Sequence, residues 1–555
     1  MATTSTEPSR SAPPDAAGPD RPVSGSRPRW RSIPGAVRLA SHAAVWTGIL
    51  VPMFAELSRG WRPFDDDAAI ASRAYQALSL HPPLTGLVSA ASGGTGHILY
   101  DPGPLLFYLL AVPVHVDPAH GLFWGAALFC GVVLSLAIEA AWSLGAWVIG
   151  AAVGFCVLDL AWLTPGVFEN LPWNAYFPLP FFIAALVLAW AVAMGRTRWW
   201  PVLVVAASVA AQSHLIFDVP AVALVVLAMV FGLLPRGQPR RYGWLVVGLF
   251  LGLLCWLAPL IQELGKHPNL TALIRSGRGQ QTLGMSFGLR MVGLAGDPHA
   301  IWLTHIPSGF YKMVAFEYYG HAPWYGGVIL GLLVVITVWA FVTGRRMLVA
   351  LGAVSVATTA GIAVSFGVFP YKNLISLAYL VNCVWVVGIL VWSVVAWAAV
   401  EVARAVLSRA HGPALTDDQT PRGSVSVIPS AGALVVAALV LVGLAGLRPA
   451  ATRPTEVDWS ASDVALVAQA ATAIERAVPF GPVTFEIGPG FKANFFLVAW
   501  ATEALAYRLE SDGWRPGVTG PAEYYTGLAV PPGAQWPSFQ VTLQGTRVVS
   551  VTRVG

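Results

Sequence analysis

Long apolar stretches follow one another from about residue 38 to residue 447, at least ten of them, and several run for a full membrane crossing without a charge. A crossing takes about 20 apolar residues, the length of helix that fits through the hydrocarbon layer. Backbone N–H and C=O groups find no water there, so the helix, which satisfies them internally, is the form such stretches can take. The expected fold is a polytopic α-helical membrane protein. Hydrophobic residues make up 56% of the 555 and charged ones 11%, against roughly 25% charged in a soluble domain. The net charge of +5 is no nucleic-acid signal, because the arginines gather in short turns between spans, where they set orientation. Membrane lipids are the expected surroundings. Cys130, Cys156, Cys255 and Cys383 are scattered and give no disulfide or CxxC pattern.

Residues 1–37 read as a disordered cytoplasmic tail, rich in Pro, Ser, Ala and Gly, with Arg27, Arg29, Arg31 and Arg38 ahead of the first span. The transmembrane domain is expected over 38–447. Its apolar segments lie near 39–57, 104–116, 119–139, 143–163, 175–195, 199–213, 215–234, 242–262, 325–343, 347–367, 373–400 and 429–447. Outer loops are expected at 59–103, 164–174 and 263–324. Arg196/Arg198, Arg236–Arg241, Arg345/Arg346 and Arg404–Arg422 would then be cytoplasmic. This alternation fails once: three crossings between 104 and 163 would put Glu169 on the wrong side, so that stretch holds two or four. The total is 11 or 13. Most polar clusters then face outward. After residue 448 the pattern changes to amphipathic helices at Asp463–Val478 and Phe496–Leu509 and strands at Gly481–Ile487, Phe539–Leu543 and Arg547–Val554. Residues 448–555 are expected to form a small extracytoplasmic α/β domain.

The polar residues between spans are where chemistry is sought, since an ionisable group at the membrane boundary costs free energy without a partner or a task. Asp65, Asp66 and Asp67 stand in a row past the first span. Adjacent carboxylates repel, so one can keep a raised pKa and serve as general base. A divalent ion held by Asp65 and Asp67 is chemically compatible with the run; helix capping is the simpler alternative. His97 and Asp101 precede the next span and suit substrate binding or a proline-fixed turn. Glu169, Trp173 and Asn174 combine carboxylate, amide and indole, a mixture that suits a sugar as well as an interfacial turn. Gln212 and His214 read as a helix break at an outer mouth. Arg278, Arg290, Lys312 and Lys372, with Tyr371 beside the last, supply cations for a lipid phosphate or for anionic head groups. Trp514, Tyr524, Tyr525 and Trp536 are available either to a glycan or to the core of the last domain. No P-loop, HExxH or Cys/His cluster is present.

Several short motifs together resemble the GT-C superfamily of membrane glycosyltransferases. They are Phe64-Asp65-Asp66-Asp67-Ala68, Asp101-Pro102-Gly103-Pro104, Glu169-Asn170-Leu171-Pro172-Trp173-Asn174 and Gln212-Ser213-His214. The resemblance implies a GT-C-like catalytic domain over 38–447. It also implies transfer of a sugar from a polyprenyl-phosphate donor, with inversion, to a hydroxyl of an envelope glycan or glycolipid at the outer face. The first-loop acid that activates the acceptor maps to Asp66, with Asp65 next. Where many members carry an Asp-Glu pair, this chain has a run of Asp. A composition like that of high-GC actinobacteria makes arabinofuranose or mannose the leading donor sugars. A transporter or flippase for a lipid-linked or small polar substrate is the main alternative, and a non-catalytic scaffold the third.

Overall fold

The computed structural model describes residues 33–89, 91–92, 97–163, 166–233, 239–276, 281–297, 322–371, 380, 382–410, 461–488, 495–519, 521–544 and 547–554. The structure is mostly helical, as expected, with a small sheet near the C-terminus. In chain order come α1 (Ile33–Ser58), α2 (Asp66–Gln76), α3 (Leu105–Val116), α4 (Gly121–Ser143), α5 (Trp147–Leu163), α6 (Pro178–Ala193), α7 (Trp200–Ser213) and α8 (Asp218–Ala228). Then follow α9 (Pro239–Glu263), α10 (Asn269–Ser276), α11 (Met285–Ala295), α12 (Pro323–Val342), α13 (Arg346–Gly367) and α14 (Asn382–Ala410). Among the described residues, 7 helices are long and apolar enough to cross a membrane. The segment expected at 429–447 lies outside the described residues.

The bundle closes around α6, whose residues Pro178–Val192 are buried on every side, including Phe182 and Trp190. Small residues let its neighbours approach. Gly48 of α1 meets Val157 of α5, and Gly154 of α5 meets the Ser41 backbone of α1, the close approach that glycine permits between membrane helices.

Two segments differ from the sequence expectation. The stretch at 104–116 is apolar, but α3 has 12 residues, about 18 Å of helix and well short of a crossing. Its C-cap is Asp117. The expected outer loop at 263–324 contains α11, whose Met291, Val292, Leu294 and Ala295 are buried. A residue with a side chain at Gly288 of α11 would place its Cβ 1.9 Å from the Ala363 carbonyl oxygen of α13. We expect Gly288→Val to lower stability by about 1–3 kcal/mol through overpacking, read as a fall in the thermal midpoint of the detergent-solubilised protein.

The C-terminal residues form α15 (Ala461–Ala477), β1 (Pro482–Gly488), α16 (Phe495–Ser511), β2 (Arg515–Gly517), α17 (Pro521–Thr526), β3 (Ser538–Gln544) and β4 (Arg547–Arg553). Strand order is β2-β1-β3-β4. β1 runs parallel to β2 and β3, and β4 returns antiparallel to β3. The sequence reading found all of these except β2 and α17. β2 is three residues long and carries Pro516, which a sheet tolerates at its edge. Trp514 is buried, its ring 5.5 Å from that of Phe480, so it belongs to this domain's core.

Candidate active site

α16 lies against α2, and this docking brings the C-terminal domain to the loop ahead of α2. Phe64 and Trp500 meet edge to face with centroids 6.5 Å apart. Ser72 donates to Glu510 Oε2 at 2.5 Å and Gln76 donates to Glu510 Oε1 at 3.2 Å. The Arg73 guanidinium donates to the carbonyls of Tyr525 and Tyr524 at 3.0 and 2.9 Å. Tyr507 donates its hydroxyl to the Pro118 carbonyl at 2.7 Å.

Burial outweighs these donors at Glu510 and pushes its carboxyl up to about 7. A carboxyl raised in the folded state stabilises fully below its unfolded pKa, and that stability is lost as pH rises through the folded value. The window here runs from about pH 4.5 to about pH 7. The docked domain should therefore resist proteolysis better at pH 5 than at pH 8, and Glu510→Gln should flatten that difference.

Asp65, Asp66 and Asp67 begin α2. Asp65 occupies the N-cap position with φ 53° and ψ −140°, and its side chain makes no capping hydrogen bond. The capping alternative is thus not realised by that carboxylate. A non-glycine residue with positive φ is strained, and such strain gathers at functional sites. Asp66 has its Oδ2 held by the Trp173 indole N–H at 2.7 Å. Burial raises the Asp66 carboxyl above its ordinary range, and the indole bond partly offsets this. Trp173 is itself braced edge to face by Tyr176, centroids 5.0 Å apart.

One residue further on, Asn174 donates its amide to Asp101 Oδ2 at 3.1 Å. Asp101 is 2% exposed. Its backbone is tied to the preceding segment by Gly86 N–H to Asp101 O at 3.0 Å and Asp101 N–H to Leu87 O at 2.7 Å. A Cβ at Gly86 would lie 2.8 Å from that of Asp101, so glycine is needed there. Burial pushes the Asp101 carboxyl up to about 8; Ser89 and Asn174 pull against it and nearby Asp66 adds to it. The loops carrying Asp66, Asp101 and Trp173-Asn174 therefore meet in one place.

Neither known protein families nor curated proteins match this chain. The site has to be judged on its geometry.

Gln212, fully buried at the end of α7, adjoins the same turn: its carbonyl accepts from Gly103 N–H at 3.4 Å, and its amide donates to Cys255 O at 2.8 Å. His214 marks the helix break expected from sequence. Its Nδ1 accepts from Ile216 N–H at 3.3 Å and caps the following turn, a local structural task. Glu169 accepts from Gly166 N–H at 3.1 Å within its own loop. His97, Arg290 and Tyr371 are exposed, and nothing places them at Asp66 or Asp101. Arg278, Lys312 and Lys372 lie outside the described residues.

Two contributors escaped the sequence reading. Asn269 of α10 pairs its side-chain amide with the Tyr100 backbone, accepting at 3.0 Å and donating at 2.9 Å. Glu503 of α16 brings a carboxylate oxygen to within 4.8 Å of oxygens of Asp65 and Asp66. Asp67, the expected partner of Asp65, is not in that group. The signal for Glu503 was an acid three residues after Trp500 and four before Tyr507, hence on the apolar face of an amphipathic helix.

Proposed function

We propose that this protein is a membrane glycosyltransferase of the GT-C type, transferring a sugar from a polyprenyl-phosphate donor to a hydroxyl of an envelope glycan or glycolipid. The observation that carries the reading is the convergence of Asp66, Asp101 and the Trp173-Asn174 loop. These are the short motifs on which the sequence resemblance rests, and they are tied together by the Trp173–Asp66 and Asn174–Asp101 hydrogen bonds. A partly buried carboxylate with raised proton affinity is a competent general base. Asp66 takes the proton of the acceptor hydroxyl as its oxygen attacks the anomeric carbon. The bond to the lipid phosphate breaks, and that phosphate leaves as a stabilised anion. Inversion follows from a single displacement.

The topology that accompanies this reading has eleven crossings. With α3 too short to span, α4 and α5 make the two crossings between 104 and 163, and the acids fall on the outer side with the C-terminal domain. One observation favours a transporter instead: Asp159 of α5 is 1% exposed within an apolar helix, as residues of an ion path can be. Incubating the purified protein in nanodiscs with radiolabelled polyprenyl-phosphate arabinofuranose, mannose, glucose or galactose and envelope glycan separates the two. Donor-dependent product supports the transferase. Absence of product across the panel, with vectorial uptake in proteoliposomes, would overturn it.

A further inference from the structure

Carboxylates from two distant parts of the chain converge at the start of α2. One oxygen each from Asp65, Asp66 and Glu503 lies within 4.8 Å of the other two. Exposed acidic groups often cluster without consequence, but Glu503 is not of that kind. It is 4% exposed, its Oε2 has no hydrogen-bond partner among the described residues, and the charge it feels beside it is that of Asp66, of the same sign. A buried carboxylate oxygen with neither donor nor counter-charge is costly. The helix that carries it is fixed further along by Tyr507 and Glu510, so it cannot roll to bring Glu503 into water without breaking those bonds.

We infer that Asp65, Asp66 and Glu503 form a binding site for a hard divalent cation, which clasps the C-terminal domain to the loop ahead of α2. The ligands are all carboxylate oxygens, the set that selects hard cations over softer metals. Oxygens that lie within 4.8 Å of one another can surround either Ca²⁺ or Mg²⁺. The Trp173 indole bond to Asp66 has the form of an outer-shell donor that orients a ligating carboxylate. The site stands on side-chain placement alone and goes beyond the transfer reading. If both hold, Asp65, Asp66 and Glu503 would hold the ion, and the ion would supply polarisation of an acceptor hydroxyl that offsets the lower proton affinity ligation gives Asp66.

The test uses the full-length protein in detergent, stripped with EDTA and desalted. Ca²⁺ and Mg²⁺ are each titrated by calorimetry, and Tb³⁺ by luminescence excited through tryptophan, since Trp173 bonds Asp66 and Trp500 packs on Phe64 beside the cluster. The expected result is saturable binding of at least one of the two divalent ions at one site and a thermal midpoint that rises with that ion. Glu503→Gln should weaken binding at least tenfold and abolish that rise, while its midpoint in EDTA is no lower than that of the parent protein. Glu486→Gln, at an exposed carboxylate of β1, should bind as the parent does. Asp65→Asn serves as a second ligand variant should Glu503→Gln fail to fold, because asparagine accepts positive φ. No saturable binding by the stripped parent protein, or undiminished binding by a folded ligand variant, would overturn the site. Sugar transfer is not read in this experiment, so its outcome is independent of the activity assay.

Discussion

Replacing Asp66 by asparagine is expected to lower sugar transfer by about 10²–10⁴-fold, the usual contribution of a positioned general base. Asparagine keeps the shape of the side chain, and its carbonyl oxygen can still accept from the Trp173 indole. What it cannot do is take a proton. The variant should therefore remain folded, with a thermal midpoint equal to or above that of the parent, because a neutral amide removes a charge that burial disfavours. Transfer that persisted in folded Asp66→Asn would keep the class of reaction and move the base to Asp65, Asp67 or Glu169.

Asp101→Asn should have a larger effect on stability in the same direction and a related one on activity. The Asp101 carboxyl is raised from 3.8 to about 8. Its folded pKa exceeds the unfolded one, so the parent is most stable below pH 4 and loses stability as pH rises to about 8. Asparagine does not ionise, and it retains an acceptor for the Asn174 amide. The variant should match the parent at acid pH and exceed it by about 3–5 kcal/mol above pH 8, the free energy of a shift of some four units discounted for relaxation. If Asp101 serves the reaction, the stabilised variant should also be slower, the trade-off expected of a site that holds a group in an unfavourable state. A thermal midpoint parallel to the parent's across pH 5–9 would show that burial of this carboxyl is not under strain.

The membrane helices were legible because hydrocarbon imposes a length and polarity that a sequence cannot disguise. The same criterion says less of short helices. Residues 104–116 are apolar but too few to cross, and α3 has 12 residues with Asp117 as its C-cap. The 11 residues of α11 were too few to stand out inside a polar loop. At the site, residue type pointed to loops that the fold brings together without fixing the role of each member. Asp66, Asp101 and Asn174 meet, whereas Glu169 and His214 accept from the nearby N–H groups of Gly166 and Ile216. Glu503 could be read as a misplaced acid on an apolar face, but its partners could not, since only the docking of α16 on α2 sets them.

That docking also imposes an order of events on biosynthesis. Asp65 and Asp66 emerge from the ribosome just after α1, whereas Glu503 and the rest of α16 follow only after α1–α14. Until then the cluster at the head of α2 lacks one of its three carboxylates and the cover that keeps it from water. A chain interrupted anywhere before α16 can still insert its apolar helices and yet hold an open, wet acidic loop. Completion of the site thus reports that synthesis has passed α16.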